Sequence, residues 1–215
     1  MRTALIAGLL LIAIASPWGT NGAQAQNLHS YLTEPQTEAE VKAFDAELSQ
    51  FAYPYPVRYF RTTRQNQALS MAYMDVMPEN RQPKGTVVLM HGKNFSGFYF
   101  APIIAALRAQ NYRVIVPDQV GFGKSTKPEH FQFSFHALAE LTHALLARQG
   151  IAQFQLMGHS MGGMLATRYA LMYPEDVSSL ILVNPIGLED YKVLTSYRTL
   201  DALYDTERNK SAEDI

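Results

Sequence analysis

The chain has 215 residues, 47% of them hydrophobic, enough to bury the core of one domain or slightly more. Its formal net charge is −1, with no basic block and no acidic tail, which removes the electrostatic case for nucleic acid or an anionic membrane surface. Cysteine is absent, which excludes disulfides, a thiol nucleophile, thiolate metal sites and a lipid-anchored N-terminal cysteine.

The first 25 residues read as an export signal. Arg2 is the charged start, Ala4 to Ala15 is an apolar run too short to span a bilayer, and Ala23-Gln24-Ala25 is an A-x-A cleavage site. Cleavage after Ala25 would give a periplasmic or secreted protein with no stable membrane anchor. Residues 26–56 are expected to form an N-terminal arm packed on the domain. Within it, Val41, Phe44, Leu48 and Phe51 recur at helical spacing and predict a helix over Glu38–Phe51. Tyr53-Pro54-Tyr55-Pro56 ends it and starts an extended segment.

Residues 57–190 then read as the core. Val57–Arg64 and Ala68–Val76 are strands joined by a polar turn at Gln65-Asn66-Gln67. Thr86–Met90 is a buried strand that runs into His91-Gly92, and Phe98–Gln110 has the pattern of a helix. Arg113–Val116 is the next buried strand, closed by Pro117-Asp118, and a long loop over Gln119–His130 follows. Ser134–Gln149 is an amphipathic helix with Phe135, Leu138, Leu141, Leu145 and Leu146 on its stripe, capped by Gly150. A further helix runs to about Tyr173, and Leu180–Val183 is another all-apolar buried strand. A hairpin followed by strand–helix alternation predicts an α/β fold, its sheet mostly parallel and covered by helices on both faces. Such sheets bind ligands at the carboxyl ends of their strands, where His91-Gly92, Asp118, Ser160 and Asn184-Pro185 fall.

The stretch Phe154–Arg168, FQLMGHSMGGMLATR, joins a short apolar strand to a helix through Gly158-His159-Ser160-Met161-Gly162. A bare G-x-S-x-G is a weak signal. A strand before it and a helix after it make it specific. A nucleophilic serine at such a turn sits in strained backbone, and side chains at Gly158 and Gly162 would collide there. The helix beginning at the serine points its N-terminal N–H groups at the place where an oxyanion would form.

Four segments together, VVLMHGKNF (Val87–Phe95), VIVPDQVGFGKSTKP (Val114–Pro128), LMGHSMGG (Leu156–Gly163) and LILVNPIGLED (Leu180–Asp190), resemble the α/β-hydrolase fold family in order and spacing. The last is most similar to secreted or periplasmic members of the branch with epoxide hydrolases, haloperoxidases and C–C hydrolases. The resemblance implies a serine hydrolase working by acyl transfer on an ester-like small molecule, with Ser160 as nucleophile. The oxyanion hole would use the backbone N–H groups of Met161 and Lys93. His91, Gly92 and His159 would support the turns around them.

The family's triad continues after the serine with an acid and then a histidine. This chain ends about 55 residues after Ser160, so the sequence reads as C-terminally truncated. The last strands and most of the cap would be missing, with residues 191–215 as the start of a cap or linker. None of the six histidines reads as the general base, and the chain alone is expected to be inactive. Asp118 reads as a residue that fixes its loop, and Glu189 and Asp190 as solvated. The rival reading is a non-catalytic hydrolase-like binding protein or an inactive fragment.

A phosphate-binding loop at Gly123-Lys124-Ser125 fails, because the required first glycine is Asp118 and the next helix starts too late. The metal-binding spacings are absent, so no metal is expected, and nothing calls for a cofactor. Phe95, Phe98, Tyr99 and Phe100 could line an apolar acyl site or belong to the core.

Overall fold

The computed structural model describes residues 44–190, 193 and 195–211. The export signal and residues 26–43 of the arm lie outside them. A single six-stranded sheet organises the described residues, with strands β1 (Val57–Arg64), β2 (Gln67–Val76), β3 (Gly85–Met90), β4 (Tyr112–Pro117), β5 (Phe154–His159) and β6 (Val177–Val183). Its order is β1-β2-β4-β3-β5-β6. The β1–β2 and β2–β4 pairs are antiparallel, whereas β4, β3, β5 and β6 run parallel. The helices are α1 (Ala101–Ala109), α2 (Phe135–Arg148), α3 (Met161–Met172) and α4 (Leu200–Arg208).

Alternation along the central strands sorts the core into two layers. Val87, Leu89, Val114 and Val116 pack with Phe100 and Ile104 on the α1 side. Val88, Met90 and Ile115 face the other way and join Leu138, Leu145, Leu165 and Tyr169 from α2 and α3. Because both faces are covered, these strands can be apolar at every position, which is why they read as unbroken runs. The β1–β2 hairpin turns on two residues, Gln65 and Asn66, with φ of 49° and 57°, and Arg64 pairs directly with Gln67. The backbone of that turn matches the twist of its strands, so Gln67 belongs to β2 and not to the turn.

Three larger differences separate the structure from the sequence reading. The predicted helix over Glu38–Phe51 does not exist in its described part, where Phe44–Phe51 forms successive turns. Leu48 has φ of 50°, and Asp45 takes the Ser49 N–H at 2.8 Å, so local side-chain bonding replaces the helical ladder. The Leu48 and Ser49 carbonyls accept from the Lys124 ammonium, and the only backbone bond to either among the described residues is the Phe51 N–H to Leu48 at 3.0 Å, a tight turn and not a helical step. The helix expected from Phe98 starts as a 3-10 turn, Gly97–Phe100, and becomes α-helical only at Ala101. Pro102 has no N–H to give to Phe98, so the Ala101 N–H bonds the Phe98 carbonyl in its place. Finally, β6 begins at Val177, earlier than its apolar run, because pairing with β5 reaches Val177 across a bulge at Ser178, and Leu180–Val183, expected to be buried, is largely exposed at the edge of the sheet.

The connection from β3 through α1 to β4 moves one way along the sheet, and that from β4 through α2 to β5 crosses back past β3. The carboxyl ends of β3 and β5 therefore lie side by side where the direction reverses, the place where open α/β sheets form a crevice.

Candidate active site

The strand β5 ends at His159, and α3 starts at Met161, leaving Ser160 alone to reverse the chain. It does so at φ 54° and ψ −120°, a region that side-chain-bearing residues rarely occupy. Three backbone bonds hold it there. Its N–H donates to Val183 at 3.0 Å, and its carbonyl accepts from Gly163 at 2.9 Å and Ile186 at 3.3 Å. The glycines are needed for close approach. A Cβ on Gly158 would lie 2.2 Å from the Gly162 carbonyl oxygen, and one on Gly162 would lie 2.2 Å from that of Met90. The α3 helix thus seats its first turn directly on the end of β3. Ser160 is half-buried, and its hydroxyl makes no hydrogen bond to another described residue.

The turn after β3 lies against this bend, since a Cβ on Gly92 would meet His159 Nδ1 and Ser160 Cβ, each at 3.3 Å. His91 is fully buried and has both ring nitrogens engaged. Nδ1 donates to the Gly92 carbonyl at 2.9 Å, and Nε2 accepts the Gln119 N–H at 3.0 Å. Desolvation holds it below its ordinary pKa, so the ring is neutral and joins the β3 turn to the end of β4. The Gly92 N–H donates to the Tyr99 hydroxyl at 3.1 Å, and that hydroxyl reaches His159 Nδ1 at 2.9 Å. Neither the Lys93 nor the Met161 N–H donates to another described residue. The Lys93 side chain is half-exposed and pairs with Glu207 of α4.

Asp118 lies at the end of β4 and is 1% exposed. Its carboxylate accepts from the Gly97 N–H at 2.6 Å, the Lys124 N–H at 2.8 Å and the Tyr53 hydroxyl at 2.6 Å. It fastens the 3-10 turn, the loop after β4 and the arm to one another. Burial and this carboxylate raise the Tyr53 hydroxyl above its ordinary range and keep it a donor. The Lys124 ammonium turns away to the arm carbonyls, and Ser125 Oγ donates to the Asp118 carbonyl at 2.7 Å, so the GKS loop is spent on internal bonds. Tyr53 carried no functional signal in sequence beyond its tyrosine–proline setting.

The remaining histidines stand apart from this cluster. His143 on α2 bonds Asp176 Oδ2 at 3.0 Å and stacks on Tyr173, beyond the far end of α3. His136 and His130 are exposed, and His29 is outside the described residues. Asn184 is exposed with φ of 41°, and Glu189 and Asp190 lie on the exposed segment after it. The aromatic quartet divides. Phe100 is core, Phe98 packs on Phe51 at 5.0 Å, Phe95 is exposed beside Tyr99, and only Tyr99 reaches the serine turn.

Comparison with known proteins agrees with this architecture. Lipase 1 of Psychrobacter immobilis is 36% identical over 124 residues, covering 56% of this chain and 38% of the lipase. A 1-acylglycerol-3-phosphate O-acyltransferase of Arabidopsis thaliana is 34% identical over 139 residues, covering 61% of this chain and 31% of its own. The chain therefore spans well under half the length of these curated relatives. The crystal structure of a "probable hydrolytic enzyme" from Pseudomonas aeruginosa PAO1 superposes with a TM-score of 0.74 at 53% identity, over 80% of this chain and 55% of that one. A family model for the alpha/beta hydrolase fold matches residues 85–213, from the first residue of β3 to beyond α4, and on that match the chain belongs to the α/β-hydrolase fold family.

Proposed function

We propose that Ser160 is the nucleophile of a serine hydrolase that cleaves a carboxylic ester or a related acyl compound through an acyl-enzyme. The observation that carries this reading is the Ser160 backbone: φ 54° and ψ −120°, between two glycines whose positions admit no Cβ. Strain of this kind costs about 1–3 kcal/mol and persists only where its surroundings enforce it. Attack by Oγ on an acyl carbon would place negative charge on the carbonyl oxygen. The uncommitted N–H groups of Met161 and Lys93 are the donors for it, one from each of the two adjoining turns. The lipase and acyltransferase relatives both act, by name, on acyl esters, which supports that substrate class. The N-terminal apolar run supports export to the periplasm or medium.

The acid and base of the triad are not among the described residues as hydrogen-bonded partners of Ser160. The chain by itself is therefore proposed to react slowly, keeping the residual catalysis that an oxyanion hole retains without its base. A fluorophosphonate probe with peptide mapping tests both parts, with imidazole added as a substitute base. Labelling concentrated on Ser160, accelerated by imidazole and absent in Ser160→Ala, is expected. Labelling spread over several serines, and unchanged by imidazole, would refute the nucleophile and favour a non-catalytic binding protein. Rapid labelling of Ser160 without imidazole would show that the chain holds its own base.

A further inference from the structure

Tyr99 lies in the 3-10 turn Gly97–Phe100, ahead of α1 and seven residues beyond Gly92. Its hydroxyl is the meeting point of two strand ends, accepting the Gly92 N–H at 3.1 Å and standing 2.9 Å from His159 Nδ1. A tyrosine hydroxyl has one proton. Its other polar neighbour among the described residues is His159 Nδ1, so that proton is assigned to it, and His159 to the tautomer protonated on Nε2. Burial raises the Tyr99 hydroxyl above its ordinary pKa and keeps it a donor. The ring is clamped as well, stacked on buried Phe100 at 4.3 Å and packed edge-on against His159 at 5.7 Å. The 3-10 turn beneath it is fixed by the Gly97 N–H to Asp118, at the end of β4.

We infer that Tyr99 is a positioning residue for the oxyanion-binding turn, its hydroxyl joining Gly92 of the β3 turn to His159 of the serine turn. This inference rests on the reading of Ser160 as nucleophile. The two N–H groups assigned to the oxyanion come from separate loops, so catalysis depends on the distance between those loops. The backbone provides no hydrogen bond between residues 92–93 and 159–161. The Gly92–Tyr99–His159 chain provides the link. It also engages the Gly92 N–H, so on the proposed reading the oxyanion donor of this turn is the neighbouring Lys93 N–H. A misplacement of about 1 Å at such a site costs roughly 100-fold in rate.

The test combines imidazole-assisted labelling with amide exchange on the intact chain. Tyr99→Phe removes one oxygen and keeps the ring. It is expected to lower the labelling rate of Ser160 by about 10- to 100-fold. His159→Leu cuts the same link at its other end and should give a similar fall, and the double variant should be no slower than the slower single one. A labelling rate within twofold of wild type in Tyr99→Phe, or losses that multiply in the double variant, would overturn the inference. Exchange of the Gly92 amide, followed by NMR, should quicken at least about tenfold in Tyr99→Phe while the β3 amides stay protected. Unchanged Gly92 exchange would overturn it whatever the serine does. A wild-type chain that never labels at Ser160 would sink the nucleophile reading, and the exchange result would then decide whether Tyr99 holds the turn.

Discussion

Gly162→Ala is the sharpest probe of how the serine turn is built. The added Cβ would lie 2.2 Å from the Met90 carbonyl oxygen and 2.6 Å from that of His91. Both obstacles are backbone, and no rotamer change removes them. The overlap is about 1 Å short of ordinary contact, so the start of α3 must lift from β3 by roughly that amount. Overpacking on this scale costs about 3 kcal/mol, equivalent to roughly 6–12 °C in melting temperature for a domain of this size. Gly150→Ala is the matched control. Gly150 has φ of 67° and nothing within 4 Å of a would-be Cβ, so it carries backbone strain alone. That strain is worth about 1 kcal/mol, or roughly 2–4 °C. Thermal unfolding followed by circular dichroism compares the two directly. The reasoning fails if Gly162→Ala melts no lower than Gly150→Ala.

Ser160→Gly should be more stable than Ser160→Ala by about 1 kcal/mol, because only glycine relaxes at φ 54°; equal denaturation midpoints would contradict the strain. Lys93→Ala should leave imidazole-assisted labelling within about threefold of wild type, whereas Lys93→Pro, which deletes the N–H, should lower it by roughly 100-fold. A large loss in Lys93→Ala would move the role from backbone to side chain. His91 has a folded-state pKa below its ordinary 6.5, so the unfolded chain takes up a proton first as pH falls. Its contribution to stability is complete above that value and is lost progressively as pH falls below it toward the lowered folded-state pKa. Urea midpoints should show this extra acid sensitivity in wild type and not in His91→Gln; the same pH slope in both would refute it.

The parts of the fold that the sequence made legible are those set by one local rule. The runs Val87–Met90 and Val114–Val116 admit only strands buried on both faces, and the glycines at 158 and 162 admit only a bend too tight for side chains. What stayed hidden depends on partners distant in the chain. Nothing in the spacing of Val41, Phe44, Leu48 and Phe51 discloses that Lys124 captures the carbonyls a helix would need. Periodicity described the apolar residues correctly and missed the competing bonds. Tyr99 sits in a run of aromatics whose obvious reading is bulk, and its role lies in one oxygen atom that meets Gly92 and His159 only after β3 and β5 align. The insertion of β4 between β2 and β3 is likewise a matter of which side of β3 the chain returns to, which composition does not encode.

The grip of Lys124 on residues 48 and 49 also bears on where this protein tolerates trimming. The sheet starts at Val57, yet a chain cut there would strand a nearly buried ammonium without its carbonyl acceptors, and would leave the Asp118 carboxylate without the Tyr53 hydroxyl. A trimmed chain that keeps these bonds therefore begins upstream of Leu48, and a protease working inward from the amino end should stall at that point while the fold persists.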